Sequence, residues 1–256
     1  MKITLKNMKI DQELIQVIEN DITPKRVIEA IVDSGKQDEP FYVMDAGDVL
    51  RKHELWMKLF PNIKPFYAVK CNDSTVVLRI LNSLGTGFDC ASKGEIAKVM
   101  SVGVPPERII FANPTKPASH IKYAAKVGVN TMTFDNQAEL FKIKEYHPKA
   151  KLVLRIRSDA KEAQCPLGMK FGAELSAVDQ LIRLAVDLGL ELAGVSFHVG
   201  SGCKDLAAFA DALRLACSAI SEMVYRGADP YIIDIGGGFE EATIHKVASL
   251  MKEALA

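Results

Sequence analysis

Eight short runs rich in valine, isoleucine and phenylalanine recur along this chain, and they constrain its fold more than any other feature. They are FYVMDA (41–46), PFYAVK (65–70), GTGFDC (85–90), RIIFAN (108–113), TMTFDN (131–136), KLVLRI (151–156), GVSFHV (194–199) and YIIDIG (231–236). Their length and their β-branched and aromatic content fit strands buried on both faces, as in a parallel sheet. Helical patterns lie between them. In 205–226, Leu206, Phe209, Ala210, Leu213, Ala216, Ile220, Met223 and Val224 make one apolar stripe. In 176–188, Val178, Leu181, Ile182, Ala185 and Leu188 make another, and Gly189 stands where a C-terminal cap belongs. Ser92 and Glu95 form a capping box that opens the helix after GTGFDC. Strand alternating with helix implies right-handed crossovers and a parallel sheet. About eight such units in a chain of this length favour a closed (β/α)8 TIM barrel over an open doubly wound sheet.

Composition narrows the class of function. The chain has 256 residues, 48% of them hydrophobic and 25% charged, enough apolar material for a large α/β core. Lys+Arg and Asp+Glu both number 32, and no block of like charge stands out. That balance argues against nucleic acid or a basic membrane-surface helix as partner. The five cysteines, Cys71, Cys90, Cys165, Cys203 and Cys217, are odd in number, widely spaced and without C-x-x-C. They read as free thiols in a reducing compartment. The histidines show no metal-ligand spacing, so no metal is expected. Residues 1–40 carry charges every few positions and read as an N-terminal helical segment, with no signal peptide or membrane span. The expectation is a soluble, cytoplasmic protein whose barrel occupies 41–256.

In a barrel the carboxyl ends of the strands meet on one face, and chemistry is done there. Those ends carry Lys70, Asp89, Asn113, Asp135, Arg155, His198 and Asp234. Each alone has a bland reading as a turn or cap residue. Seven around one rim, with a Lys, an Arg and a His inside apolar runs, point to a site. Two glycine clusters add a direction: Gly236, Gly237 and Gly238 follow one strand, and Gly200, Ser201 and Gly202 follow another. Consecutive glycines let backbone N–H groups crowd a phosphate, and a serine hydroxyl can join them. Neither a Walker motif nor G-x-G-x-x-G is present. A strand-end lysine facing two phosphate-type loops points to a phosphorylated aldehyde bound through its carbonyl, of which pyridoxal 5'-phosphate is the commonest.

The motifs PFYAVKCN, GTGFDCASKGEI, IIFANPTK, LVLRI, KFGA, GVSFHVGSGC and DIGGGF, in this order from about residue 40 to 239, resemble the eukaryotic ornithine decarboxylases. These are pyridoxal-phosphate enzymes with an alanine-racemase-like barrel; DIGGGF alone also fits diaminopimelate and arginine decarboxylases. The resemblance implies that Lys70 binds the cofactor's aldehyde carbon and that His198 lies flat against the pyridine ring. Asp89 and Arg155 would sit near the reacting carbon and ring substituents, and Ser201 with Gly236, Gly237 and Gly238 would hold the phosphate. Asp234 would support the glycine loop, Glu95 would stand further back, and Lys170 would lie in a loop near a partner subunit. The implied reaction takes L-ornithine to putrescine, for polyamine biosynthesis, in a homodimer. Lysine or another basic amino acid is an alternative substrate.

The family pattern continues past this chain, with a final barrel strand and a β-rich domain that carry further cofactor and substrate residues. Residues 1–256 alone are therefore expected to decarboxylate poorly. By strand count the barrel has eight strands, while the resemblance assigns FYVMDA to the β domain and leaves seven with an open seam. A rival reading is a non-catalytic, antizyme-inhibitor-like regulator that binds antizyme. In that branch the aspartate of FDCAS tends to be lost, and here Asp89 is kept. The segment KPASHIKYAAKVGV (116–129) resembles the region through which the family binds antizyme; its plainer reading is a surface helix with Lys116, Lys122 and Lys126 in water.

Overall fold

The computed structural model describes residues 6–10, 13–18, 22–160, 163–165, 168 and 170–255. Two antiparallel strands, β1 (Lys6–Ile10) and β2 (Glu13–Val17), precede the helices α1 (Pro24–Asp33) and α2 (Ala46–Leu59). Among the described residues of 1–40, the helical part is α1. Ahead of it, the sequence sets Ile15 and Val17 two positions apart, the period of a strand.

From residue 66 strands of the main sheet alternate with helices. β3 (Phe66–Ala68) leads to α3 (Thr75–Ser83), β4 (Gly87–Cys90) to α4 (Lys93–Ser101), and β5 (Ile109–Phe111) to α5 (Ala118–Val127). Then come β6 (Thr131–Phe134), α6 (Gln137–Tyr146) and β7 (Lys151–Arg155), and a short strand β8 (Ala163–Cys165) before α7 (Leu175–Asp187). β9 (Glu191–Ser196), β10 (Ser201–Cys203), α8 (Ala207–Tyr225), β11 (Ile232–Asp234) and α9 (Ile244–Leu255) complete the order. Seven strands form one parallel sheet in the order β11-β9-β7-β6-β5-β4-β3, while β8 and β10 pair antiparallel outside it. The spatial order follows the chain without reversal, which is barrel topology; a doubly wound sheet would show a switch point.

The eighth strand read from the sequence is not there. Residues 41–45 have no regular structure, Tyr42 is fully exposed, and Asp45 caps α2 by accepting the Asp48 N–H at 3.1 Å. Among the described residues no backbone hydrogen bond joins 41–46 to β3 or β11, so both remain edges and the barrel is open there. A run with strand-type side chains that pairs with neither free edge does not become a strand.

Local chemistry explains the other elements. Ser92 accepts the Glu95 N–H at 3.2 Å, and Glu95 reaches back to the Ala91 N–H at 2.6 Å, the reciprocal bonding of a capping box. Gly189 (φ +62) ends α7 in a Schellman turn, with Leu190 N–H on the Ala185 carbonyl and Gly189 N–H on that of Val186. Phe209, Leu213, Ala216 and Met223 of the α8 stripe are buried, whereas Val224 at its end is exposed. One continuous core joins these helices to Phe88, Phe111, Phe134, Leu154 and Val195 of the sheet. α5 is a surface helix with Lys122 and Lys126 exposed, but Lys116 is not in water. Its side chain is fully buried against Glu139 of α6.

Candidate active site

Lys70 stands just past β3 in a single 3-10 turn, Val69–Cys71. Fully buried Val69 anchors that turn from below. Tyr67 closes it from the side, its hydroxyl donating to the Asn72 carbonyl at 3.0 Å; Asn72 Oδ1 in turn accepts the Ser74 N–H at 3.0 Å ahead of α3. The lysine's own side chain is 58% exposed, with Nζ 3.9 Å from Asp89 Oδ2 at the end of β4.

Around this pair the strand ends assemble a charged rim. Asp89 is pushed up to about 6 by burial, reinforced by Asp234 and Glu95 and opposed by Lys70 and Arg155. Burial likewise raises Asp234, against the Gly236 N–H, Arg155 and Lys70. Burial lowers the Arg155 guanidinium, while Asp135, Asp234 and Asp89 hold its charge, and the Phe171 ring lies 5.1 Å away. His198 falls to about 4 through burial and the neighbouring cations Arg155 and Lys70, so its imidazole is neutral at pH 7. Nδ1 accepts the Gly200 N–H at 2.9 Å, which leaves the ring proton on Nε2.

The glycine loop is pressed against the segment that carries His198. Asp234 Oδ1 takes the Gly236 N–H at 2.9 Å, and the Phe197 N–H donates to the Asp234 carbonyl at 3.0 Å. A Cβ on Gly236 (φ +64) would meet the Phe197 carbonyl oxygen at 2.1 Å; one on Gly238 (φ +103) would meet that of Gly200 at 2.5 Å. Ser201 follows Gly200 directly and opens β10, exposed. Lys70, Asp89, Arg155, His198, Asp234 and the two glycine clusters therefore meet at one end of the barrel. The other strand-end groups hold loops: Asn113 donates to the Ala91 carbonyl at 3.1 Å, and Asp135 accepts the Gly172 N–H at 2.9 Å.

Residues 46–256 match the family model described as pyridoxal-dependent decarboxylase, pyridoxal binding domain. The chain belongs to the pyridoxal-dependent decarboxylases. It is 51% identical to ornithine decarboxylase of Rattus norvegicus over 86% of its own length and 47% of that protein's. It is 46% identical to antizyme inhibitor 2 of Xenopus laevis over 96% of its length and 56% of the relative's. The solved arginine decarboxylase of Paramecium bursaria Chlorella virus superposes with a TM-score of 0.87 at 38% identity, covering 91% of this chain and 64% of that one. The chain thus spans about half the length of the curated relatives it matches.

The site fits the cofactor of this decarboxylase family, pyridoxal phosphate. Asp89 Oδ1 and Ser196 Oγ are buried without a hydrogen-bond partner among the described residues. The Gly237 and Gly238 N–H groups have no acceptor among them either, and a Cβ on Gly237 would stand 3.1 Å from His198 Nε2. An amine, a carboxylate, a neutral imidazole and unspent amides are what a planar, phosphorylated aldehyde requires. Sequence reasoning missed Tyr67, which closes the lysine turn, and Phe171, which covers Arg155. It also missed Ser196, which pairs in register with both Arg155 and Asp234 and so shares their face of the sheet. Apolar residues such as Tyr67 and Phe171 carry no signal that separates them from core.

Proposed function

We propose that this chain binds pyridoxal phosphate through Lys70 and serves the decarboxylation of L-ornithine to putrescine. The observation that carries this reading is the Lys70 amine 3.9 Å from the Asp89 carboxylate at the mouth of the barrel, across from the glycine loop. When bound, pyridoxal phosphate supplies the electron sink for the pair left behind as carbon dioxide departs. Lys70 is the amine that holds the aldehyde carbon and releases it to the incoming amino acid. Asp89, near 6, balances positive charge beside that amine and holds or gives up a proton close to neutral pH. His198, uncharged, offers a flat face to the pyridine ring without adding a positive charge to it. Ser201, Gly237 and Gly238 would hold the phosphate, with Gly236, its N–H on Asp234, shaping the loop, and Arg155 would stand near the ring substituents.

Ornithine leads over lysine or arginine because the 51% identity is to an ornithine decarboxylase. A homodimer is proposed on the same likeness. The second reading, a regulator that binds antizyme, is favoured by the 46% identity to an antizyme inhibitor over nearly the whole chain; the retained Lys70–Asp89 pair speaks against it.

Purified protein mixed with pyridoxal phosphate, reduced with borohydride and mapped by peptide mass tests the cofactor reading; the label is expected on Lys70. Carbon dioxide release from ornithine, lysine and arginine then tests the substrate. Diffuse labelling of surface lysines overturns the first. Labelled protein that releases nothing from any of the three but captures antizyme replaces the enzyme reading with the regulator.

A further inference from the structure

The residue after the three glycines is Phe239, and its ring is enclosed by three others. Trp56 of α2 meets it edge-on with centroids 5.1 Å apart, Phe60 at the end of α2 lies at 5.8 Å, and Phe209 of α8 lies at 5.1 Å. Trp56 and Phe60 stack on each other at 4.6 Å. The indole is itself tethered, its Nε1 donating to the Ile63 carbonyl at 2.8 Å. Phe60 and Phe209 are 3% and 0% exposed, so the cluster is continuous with the core.

This gives the glycine loop two walls. On one side Gly236 and Gly238 lie so close to the Phe197 and Gly200 carbonyls that no side chain fits. On the other, the chain is fixed by Phe239 immediately beyond the last glycine. A loop of three glycines has the largest conformational freedom a chain can have. Amides that receive a phosphate tightly must be held in place before it arrives. Asp234 holds the Gly236 N–H, but among the described residues Gly237 and Gly238 have no such bond, and Phe239 supplies their restraint.

We propose that Phe239, gripped by Trp56, Phe60 and Phe209, is the positioning residue that presents the Gly237 and Gly238 amides to the cofactor's phosphate, so that α2, a helix outside the sheet, sets phosphate affinity. This rests on the reading that the loop binds that phosphate. The rings that hold Phe239 come from α2 and α8 and none from the lysine turn, so its loss is expected to act on the phosphate end of the ligand.

The test compares dissociation constants of pyridoxal phosphate and of pyridoxal, which lacks the phosphate, for the wild-type chain and for Phe239→Leu. The wild type should prefer the phosphorylated form. Phe239→Leu should weaken pyridoxal phosphate by about tenfold or more while leaving pyridoxal within about twofold. If Phe239→Leu does not fold by circular dichroism, Trp56→Leu carries the same comparison, because Trp56 reaches the loop through Phe239 and Phe60. Equal weakening of both ligands, or of neither, overturns the positioning role. A wild type that does not distinguish the two ligands overturns the phosphate reading itself, and the clamp with it.

Discussion

Lys116 Nζ lies 2.7 Å from Glu139 Oε1, with the two side chains at 0% and 1% exposure. The ammonium also donates to the Thr133 carbonyl at 2.6 Å and to that of Asn113 at 3.1 Å. Glu139 in turn accepts the Lys116 N–H at 3.1 Å and stands 2.6 Å from Lys142 Nζ. The cluster ties the entry of α5 to the end of β6 and the first turn of α6. Burial pulls Lys116 down to about 8, with Glu139 opposing, so the carboxylate is what favours the charged form of the lysine.

The two partners are unequal. Glu139→Leu leaves a buried ammonium facing carbonyls alone and should cost about 3–5 kcal/mol. Lys116→Met leaves Glu139 still paired to Lys142 and strips donors from two carbonyls, a cost of about 1–3 kcal/mol. The double variant should cost less than the sum. Urea unfolding of the four proteins checks this, and strict additivity would refute the coupling.

Gly194 and Gly236 should be the least replaceable glycines. A Cβ on Gly194 would stand 2.0 Å from the Ile232 carbonyl oxygen, inside the β9–β11 pairing that carries the glycine loop. Gly194→Ala and Gly236→Ala should each cost more than about 2 kcal/mol, because backbone on both sides must shift. Gly35→Ala is the control: it shares a positive φ of +62 with nothing within 4 Å, and should lose only about 1–2 kcal/mol. Equal losses at Gly236 and Gly35 would mean that only the φ angle matters there, and an unchanged stability of Gly194→Ala, where φ is not positive, would refute the clash.

His198 sets a sign for the response to acid. Its folded value, about 4, lies below the ordinary 6.5. The unfolded chain therefore takes up a proton first, and stability held above pH 6.5 is lost as pH falls toward 4. The full effect is at most about 3 kcal/mol. His198→Asn removes it: between pH 7 and about pH 4.5 the variant should lose about 2 kcal/mol less stability than the wild type. Parallel curves for the two proteins would remove His198 from the account.

What the sequence disclosed and what it hid divide along physical lines. Lys70, Asp89, Arg155 and His198 were legible because a polar group inside an apolar run must have a reason to be there, and parallel strands bring their ends to one face. FYVMDA misled because strand propensity says nothing about whether a run will pair with the edges open to it. Lys116 misled in the opposite direction, since its partner Glu139 is 23 positions away in the next unit. Ser196 needed the register that sets it beside Arg155 and Asp234, and Phe239 needed the packing of α2, whose contribution no local pattern reveals.

Asp89 shows that the site is built at the expense of stability. Its Oδ1 is buried without a partner, its side chain is only 25% exposed, and burial lifts it to about 6 from 3.8. A carboxyl raised in the folded state favours folding when protonated, below pH 3.8, and loses that advantage as pH rises through 6. At pH 7 the ionised group therefore costs the unliganded protein up to about 3 kcal/mol, the attraction of Lys70 already included. Asp89→Asn keeps the shape and removes the charge. It should stabilise the unliganded chain at pH 7 by about 1–2 kcal/mol, a gain that vanishes by about pH 4. The same change should slow borohydride-trapped labelling of Lys70 by pyridoxal phosphate, because the amine loses the carboxylate 3.9 Å away. Urea unfolding at the two pH values and a labelling time course read the two effects separately. A variant less stable than wild type at pH 7 would mean that the Lys70–Asp89 attraction outweighs the burial, and that Asp89 is held for the fold as much as for the cofactor.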